Sequence, residues 1–219
     1  MMSQFPTADA PFALVFIALH LALMGIRLRF RLEAGDLKRP LVNRAEGVGN
    51  VVARWTLGSI LIGAVVAYFV SPREWEWMFL RVPTPLRVAG AVASILALIL
   101  LTRAHRALNR EFSSTLGLKP QDHLVTWGPY RHIQHPIYVA FFTHFLATGL
   151  YTRSWPIGVL GMATILTLMT TRRRREEALL RRAFGERYAE YQAATPRFLP
   201  RVRTAWRRTG HPRAGRPRR

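Results

Sequence analysis

The chain has 219 residues, half of them hydrophobic, with no cysteine and a formal net charge of +20. Lack of cysteine excludes disulfides, a thiolate nucleophile and Cys-ligated metal. High charge and high apolar content coexist because they are segregated: apolar runs alternate with arginine clusters, as in an integral membrane protein rather than a soluble nucleic-acid-binding domain, so no nucleic-acid partner is expected.

Residues 1–10 carry no Lys or Arg, so the basic start of a cleavable signal peptide is not expected there. Residues 11–26 form the first apolar run, followed at once by Arg27, Arg29 and Arg31. A polar connector with Pro40, Gly47 and Gly49 leads to the second run, 55–70, which ends at Ser71-Pro72. Residues 74–79, with Trp75 and Trp77, read as interfacial, because indoles favour the headgroup level. The third run is 88–102, and a basic helical segment to Phe112 follows it before a loop around Gly117 and Pro120.

The fourth run is 136–151, and only Thr152, Arg153 and Ser154 separate it from the fifth, 155–171. These two are expected to form a tight antiparallel hairpin. Neither Gly nor Pro occurs from Met162 to Phe184, so one helix can leave the bilayer and project several turns beyond it. Lys plus Arg number seven, three, five and one in the four successive connectors, and sixteen from Arg172 onward. Heavy and light segments alternate, as five spans with the N-terminus outside and the C-terminus in the cytoplasm require. After Pro200 the chain is rich in Arg, Pro and Gly, and is expected to be a disordered basic tail, 201–219, drawn to anionic lipid headgroups. The fold class is therefore an all-α, polytopic membrane bundle of about five transmembrane helices, forming one domain over 1–200.

Two stretches carry the chemistry, VTWGPYRHIQHPIY (125–138) and RRRREEALLRRAFGERYAEY (172–191), and both fall on the expected cytoplasmic face. Trp127 to Tyr130 reads as a turn. Pro136 suits the first turn of a helix, with His135 at its cap and Tyr138 on the same side three residues on. A helix start aimed into a polar pocket suits an anion, while an ordinary re-entry turn with interfacial His and Tyr is the plainer alternative. The spacing His132-x-x-His135 could suit a metal, but no motif places a third ligand and no metal site is expected. Arg172 and Glu176 stand at i and i+4 on one helix face, which Leu180, Phe184 and Tyr188 continue. Arg173 to Arg175 are accounted for by membrane topology alone; Glu176 and Glu177 are not, since acidic residues contribute nothing to that signal.

GPYRHIQHPIY followed by RRRREEALL, FGERYAEY and TPRFLP resembles the isoprenylcysteine carboxyl methyltransferase family of integral membrane methyltransferases, over residues 112–200. The resemblance implies a helical site at the cytoplasmic edge for S-adenosyl-L-methionine. It implies cofactor contacts from His135, Pro136, Ile137 and Tyr138, and from the preceding His123, Leu124, Val125 and Tyr130. Glu176 would meet the cofactor's amino group, and Arg172 would hold the acceptor carboxylate. Gln134 stands where the family usually has Arg, so either Arg131 is recruited or a different group is bound; Ala140 replaces a common Gly. The Gly-rich loop of soluble methyltransferases is absent, since Gly47-x-Gly49 lacks the third Gly and the strand-helix setting.

The function expected is carboxyl O-methylation of a lipophilic or amphipathic, isoprenylcysteine-like small molecule, in a bacterial inner membrane. Phospholipid amine N-methylation, a non-catalytic membrane adaptor acting through its basic tail, and a nicotinamide-dependent membrane reductase are the alternatives.

Overall fold

A computed structural model describes residues 9–33, 48–70, 75–108 and 124–200. Five long helices account for most of it: α1 (Ala10–Glu33), α2 (Val48–Val70), α3 (Thr84–Leu108), α4 (Pro136–Thr152) and α5 (Trp155–Phe184), followed by the short α6 (Glu186–Ala194). Each expected apolar run lies in one of the five. Helices α1 and α3 extend well past their apolar runs, to 24 and 25 residues, because Arg, Glu and Leu at the flanks are good helix formers. Among the described residues α1, α3 and the 51–70 part of α2 are long and apolar enough to cross a membrane. Helix α4 has only 17 residues, about 25 Å at the usual rise, and the apolar part of α5 is equally short. Their shortness is offset by pairing: α4 packs between α3 and α5 and buries His144, Thr148 and Thr152 there. His144 accepts or donates a 2.7 Å hydrogen bond with Ser94 of α3, which fixes the register of those two helices.

The α4–α5 hairpin is as tight as its three-residue link demands. Arg153 adopts a left-handed conformation (φ 61°) and its backbone N–H bonds the carbonyl of Leu150, which closes α4. Gly149 and Gly158 then pass each other at backbone contact: a Cβ on Gly149 would lie 2.8 Å from the Cα of Gly158. At this same end Asp9 joins α1 to the rest. Its carboxylate pairs with Arg87 of α3 and with Arg153, both at 2.7 Å, and Arg87 donates to the carbonyl of Tyr151 at 3.0 Å. Arg87 also lies over the ring of Phe12, 3.8 Å from its centroid. Two of the four basic residues in the light connectors are thus paired with one buried acid. Trp75, Trp77 and Trp155 cluster beside it with exposed rings, and the Trp155 indole N–H donates to the carbonyl of Trp77, as befits an interfacial belt.

At the other end α5 runs about 45 Å in one piece, its 30 residues continuing through the arginine cluster. It stops at Gly185, whose φ of 53° turns the chain back into α6. Tyr188 therefore does not extend the face of α5 as the spacing predicts. It is buried on α6, which folds back so that Tyr191 donates a 2.7 Å hydrogen bond to the carbonyl of Tyr130.

Candidate functional site

Residues 128–131 form a single 3-10 turn, opened by Gly128 at φ 62° and fixed by Pro129. A Cβ on Gly128 would sit 3.3 Å from the Ala107 side chain, so the turn lies against the last turn of α3. Tyr130 and Val125 pack there with Ala104 and Ala107. The chain then enters α4 with His135 as N-cap and Pro136 as the first helical residue, as expected. The His135 side chain makes no capping bond; it reaches across to α5 instead.

There the second stretch meets the first. His135 Nε2 lies 3.2 Å from Glu177 Oε1, and the Tyr138 hydroxyl donates to the carboxylate of Glu176 at 3.3 and 3.4 Å. Arg172 Nε is 3.8 Å from Glu176, a loose pair, while Arg173 donates to Glu177 at 2.9 Å. The start of α4 and the extension of α5 thus touch through two parallel carboxylate contacts. His135 pairs with Glu177, however, and not with the Glu176 beside it. Arg173, which topology alone accounts for in the sequence, has a structural partner here.

The adjacent glutamates are tuned apart. Burial pushes the Glu176 carboxyl above its ordinary value, and Arg172 and Tyr138 do not fully offset this. Glu177 is also penalised by desolvation, but hydrogen bonds from Arg173 and His135 more than compensate and hold it below the usual range. His135 is pushed down, chiefly by burial, so its imidazole is favoured in the neutral form. Burial raises Tyr130 well above its ordinary value, with Tyr191, Glu176 and Tyr138 adding to the effect.

Of the residues that the resemblance singles out, His135, Tyr138, Arg172 and Glu176 therefore come together. Pro136 is buried, and Ile137 packs between two apolar clusters. Leu124 is half-buried next to Val125. His123, residues 112–122 and the basic tail 201–219 lie outside the described residues.

Gln134 bonds to the chain itself. It is buried, its side-chain N–H groups donate to the carbonyls of Gln192 and Thr195, and its backbone N–H bonds the carbonyl of Pro196. His135 N–H bonds the carbonyl of Arg197 next to it. The segment after α6 is thereby strapped across the start of α4, and Phe198 stacks near the His135 ring at 5.6 Å. Arg131 is exposed. A cavity of about 460 Å³ opens beside the strap, lined by Gln134, Arg181, Gln192, Thr195 and Arg197 among others; it does not reach Tyr138 or Glu176. Glu177 as the partner of His135, and the strap, emerge only in the structure; TPRFLP, with its two prolines and a phenylalanine, is the sequence signal for the latter.

A family model described as phospholipid methyltransferase matches residues 86–187. The cobalt-zinc-cadmium resistance protein CzcN of Cupriavidus metallidurans is 40% identical over 80 residues, 36% of this chain and 36% of that protein. The protein-S-isoprenylcysteine O-methyltransferase of Schizosaccharomyces pombe is 32% identical over 83 residues, 37% of this chain and 35% of that one. The matched segments thus span about a third of these relatives. In fold, the chain superimposes on the structure of a eukaryotic intramembrane Ras methyltransferase, isoprenylcysteine carboxyl methyltransferase, with a TM-score of 0.64 over 87% of this chain and 67% of the other, at 19% identity. In fold the chain is thus like an integral membrane methyltransferase, and part of its sequence is similar to phospholipid and isoprenylcysteine methyltransferases.

Proposed function

We propose that the protein is an S-adenosyl-L-methionine-dependent methyltransferase that esterifies the carboxylate of a lipophilic or amphipathic, isoprenylcysteine-like substrate at the cytoplasmic face of a bacterial inner membrane. The observation that supports it is the double junction Tyr138–Glu176 and His135–Glu177, with Arg172 at its edge. Glu176 is a half-buried carboxylate whose desolvation is under-compensated, which fits a cationic ligand carrying an ammonium group. Tyr138 orients that carboxylate, and His135, kept neutral and held by Glu177, can contact the ligand without adding positive charge. Arg172 offers a planar pair of donors for a carboxylate. When bound, S-adenosyl-L-methionine supplies an electrophilic methyl group on a sulfonium. The chain's own share is to hold acceptor and donor in line and to keep water out, because a carboxylate acceptor needs no general base. Residues 112–200 form the catalytic part in this reading, and the basic tail associates with anionic headgroups.

Isothermal titration of the detergent-solubilised protein with S-adenosyl-L-methionine tests the site. Glu176→Ala and His135→Ala should each weaken binding at least tenfold; affinity indifferent to both would remove the assignment. The match to the phospholipid methyltransferase model favours a second reading, N-methylation of an amine phospholipid. That reaction needs no carboxylate clamp, so Arg172→Ala retaining transfer to amine lipids would support it over the first.

A further inference from the structure

Arg27 is the first of the three arginines that close α1, and the motif pair leaves it without a role beyond topology. Its side chain does not behave like that of Arg29, which pairs outward with Glu33 at 2.9 Å. Arg27 instead sets its guanidinium over the ring of Phe141 on α4, 5.2 Å from the centroid. Phe141 stands three residues beyond Tyr138, on the same side of α4, and Tyr138 bonds Glu176. Arg27 is therefore brought within one helical turn of Tyr138 along α4, on the side where Tyr138 meets Glu176 and Glu176 meets Arg172. On the third side His105 of α3 stacks on Phe30 of α1 at 4.8 Å, so the flank is aromatic.

Two guanidinium charges near the same turn of α4 at a membrane rim repel, and Arg27 has no ion pair among the described residues. An anionic oxygen group placed between them would turn that repulsion into two charge-assisted contacts. The neighbouring surface of α1 is apolar and open, with Leu21, Met24 and Leu28 all more than half exposed. We propose that Arg27 and Arg172 form a two-guanidinium clamp, backed by Phe141, that binds the anionic oxygen group of a substrate whose lipophilic tail lies in the membrane. That group is a carboxylate acceptor or the phosphodiester of a phospholipid. The inference deepens the methyltransferase reading and rests on it, since it assigns the substrate-anchoring residue of the same site.

Equilibrium binding to the full-length protein in detergent tests the clamp, with S-adenosylhomocysteine absent and then saturating. The probes are S-farnesyl-N-acetylcysteine, its methyl ester, and a dimethylated phosphatidylethanolamine. Native protein should bind the free acid or the phosphodiester lipid at least tenfold more tightly than the uncharged ester. Arg27→Ala should erase that preference while leaving ester binding and S-adenosylhomocysteine affinity unchanged. Arg27→Lys should keep part of it, since charge remains but the planar fork is lost. Arg29→Ala should change nothing. Whichever anionic probe loses affinity identifies the source of the anion. The clamp is overturned if the native protein shows no preference for either anion, or if Arg27→Ala and Arg27→Lys both retain it. Absence of S-adenosylhomocysteine binding to native protein would sink the methyltransferase reading instead, and the anion measurement made without it still decides the clamp.

Discussion

Glu176 and Glu177 are neighbours in sequence with opposite surroundings. Glu177 is held by Arg173 at 2.9 Å and His135 at 3.2 Å, and it serves as the rivet between α5 and the start of α4. Among the described residues Glu176 meets Arg172 at 3.8 Å and the hydroxyl of Tyr138, and burial raises its carboxyl above the ordinary 4.5. The sign of a pH effect follows. A raised carboxyl takes up its proton at a higher pH than an exposed glutamate does, and a protonated Glu176 cannot pair with an ammonium group. S-adenosyl-L-methionine affinity should therefore fall on acidification while the solution is still above pH 4.5, and the fall should be absent in Glu176→Gln, which binds weakly at every pH. Titration calorimetry across a pH series checks both. Glu177 runs the other way: its depressed pKa gives stability that is present above the unfolded-state value and is lost only as pH falls through the lower folded-state value.

At the scale of elements, the site depends on the α4–α5 hairpin more than on any single side chain. One turn of hairpin slippage would separate Tyr138 from Glu176 by about 5 Å, well beyond a hydrogen bond. The register is set at the far end, where Gly149 meets Gly158 and Arg153 closes α4 in a left-handed conformation. Gly149→Ala should lower stability by about 1–3 kcal/mol, because the obstacle 2.8 Å from the new Cβ is backbone and cannot rotate away. Gly25→Ala on α1, with nothing within 4 Å, should be neutral or slightly stabilising. Thermal unfolding of both variants in one detergent, followed by circular dichroism, separates them. Equal midpoints would mean that the close glycine contact does not fix the hairpin.

For the whole molecule, charge placement and architecture agree. The heavy arginine group 172–175 lies at the end where the two motifs meet, and the light connectors lie at the end where Asp9 pairs with Arg87 and Arg153. The orientation is proposed as N-terminus outside, and the natural lack of cysteine makes it directly measurable. Leu80 and Leu199 are exposed at opposite ends, at 50% and 80%. In intact cells, Leu80→Cys should react with a membrane-impermeant maleimide, whereas Leu199→Cys should react only after permeabilisation. The reverse pattern would place the site outside and contradict the proposed cytosolic methyl donor.

Helix number, the hairpin, the continuous exit of α5 and the meeting of the two motifs were legible in the amino-acid order, because each rests on a local rule. Apolar length fixes a helix, a three-residue link forces antiparallel neighbours, and a run without Gly or Pro does not break. His135 as cap, Pro136 at the first turn and Arg172 with Glu176 on one face are of this kind. What only the tertiary structure decided is how distant groups choose among equivalent partners. His135 could face Glu176 or Glu177, Gln134 could bind a ligand or clasp the chain, and Asp9, unremarkable in a polar leader, proved to be the acid shared by two arginines. Such choices turn on about an ångström of helix rotation and on where the chain returns after Gly185. Neither quantity is encoded in a spacing pattern, since both emerge from all the helices packing at once.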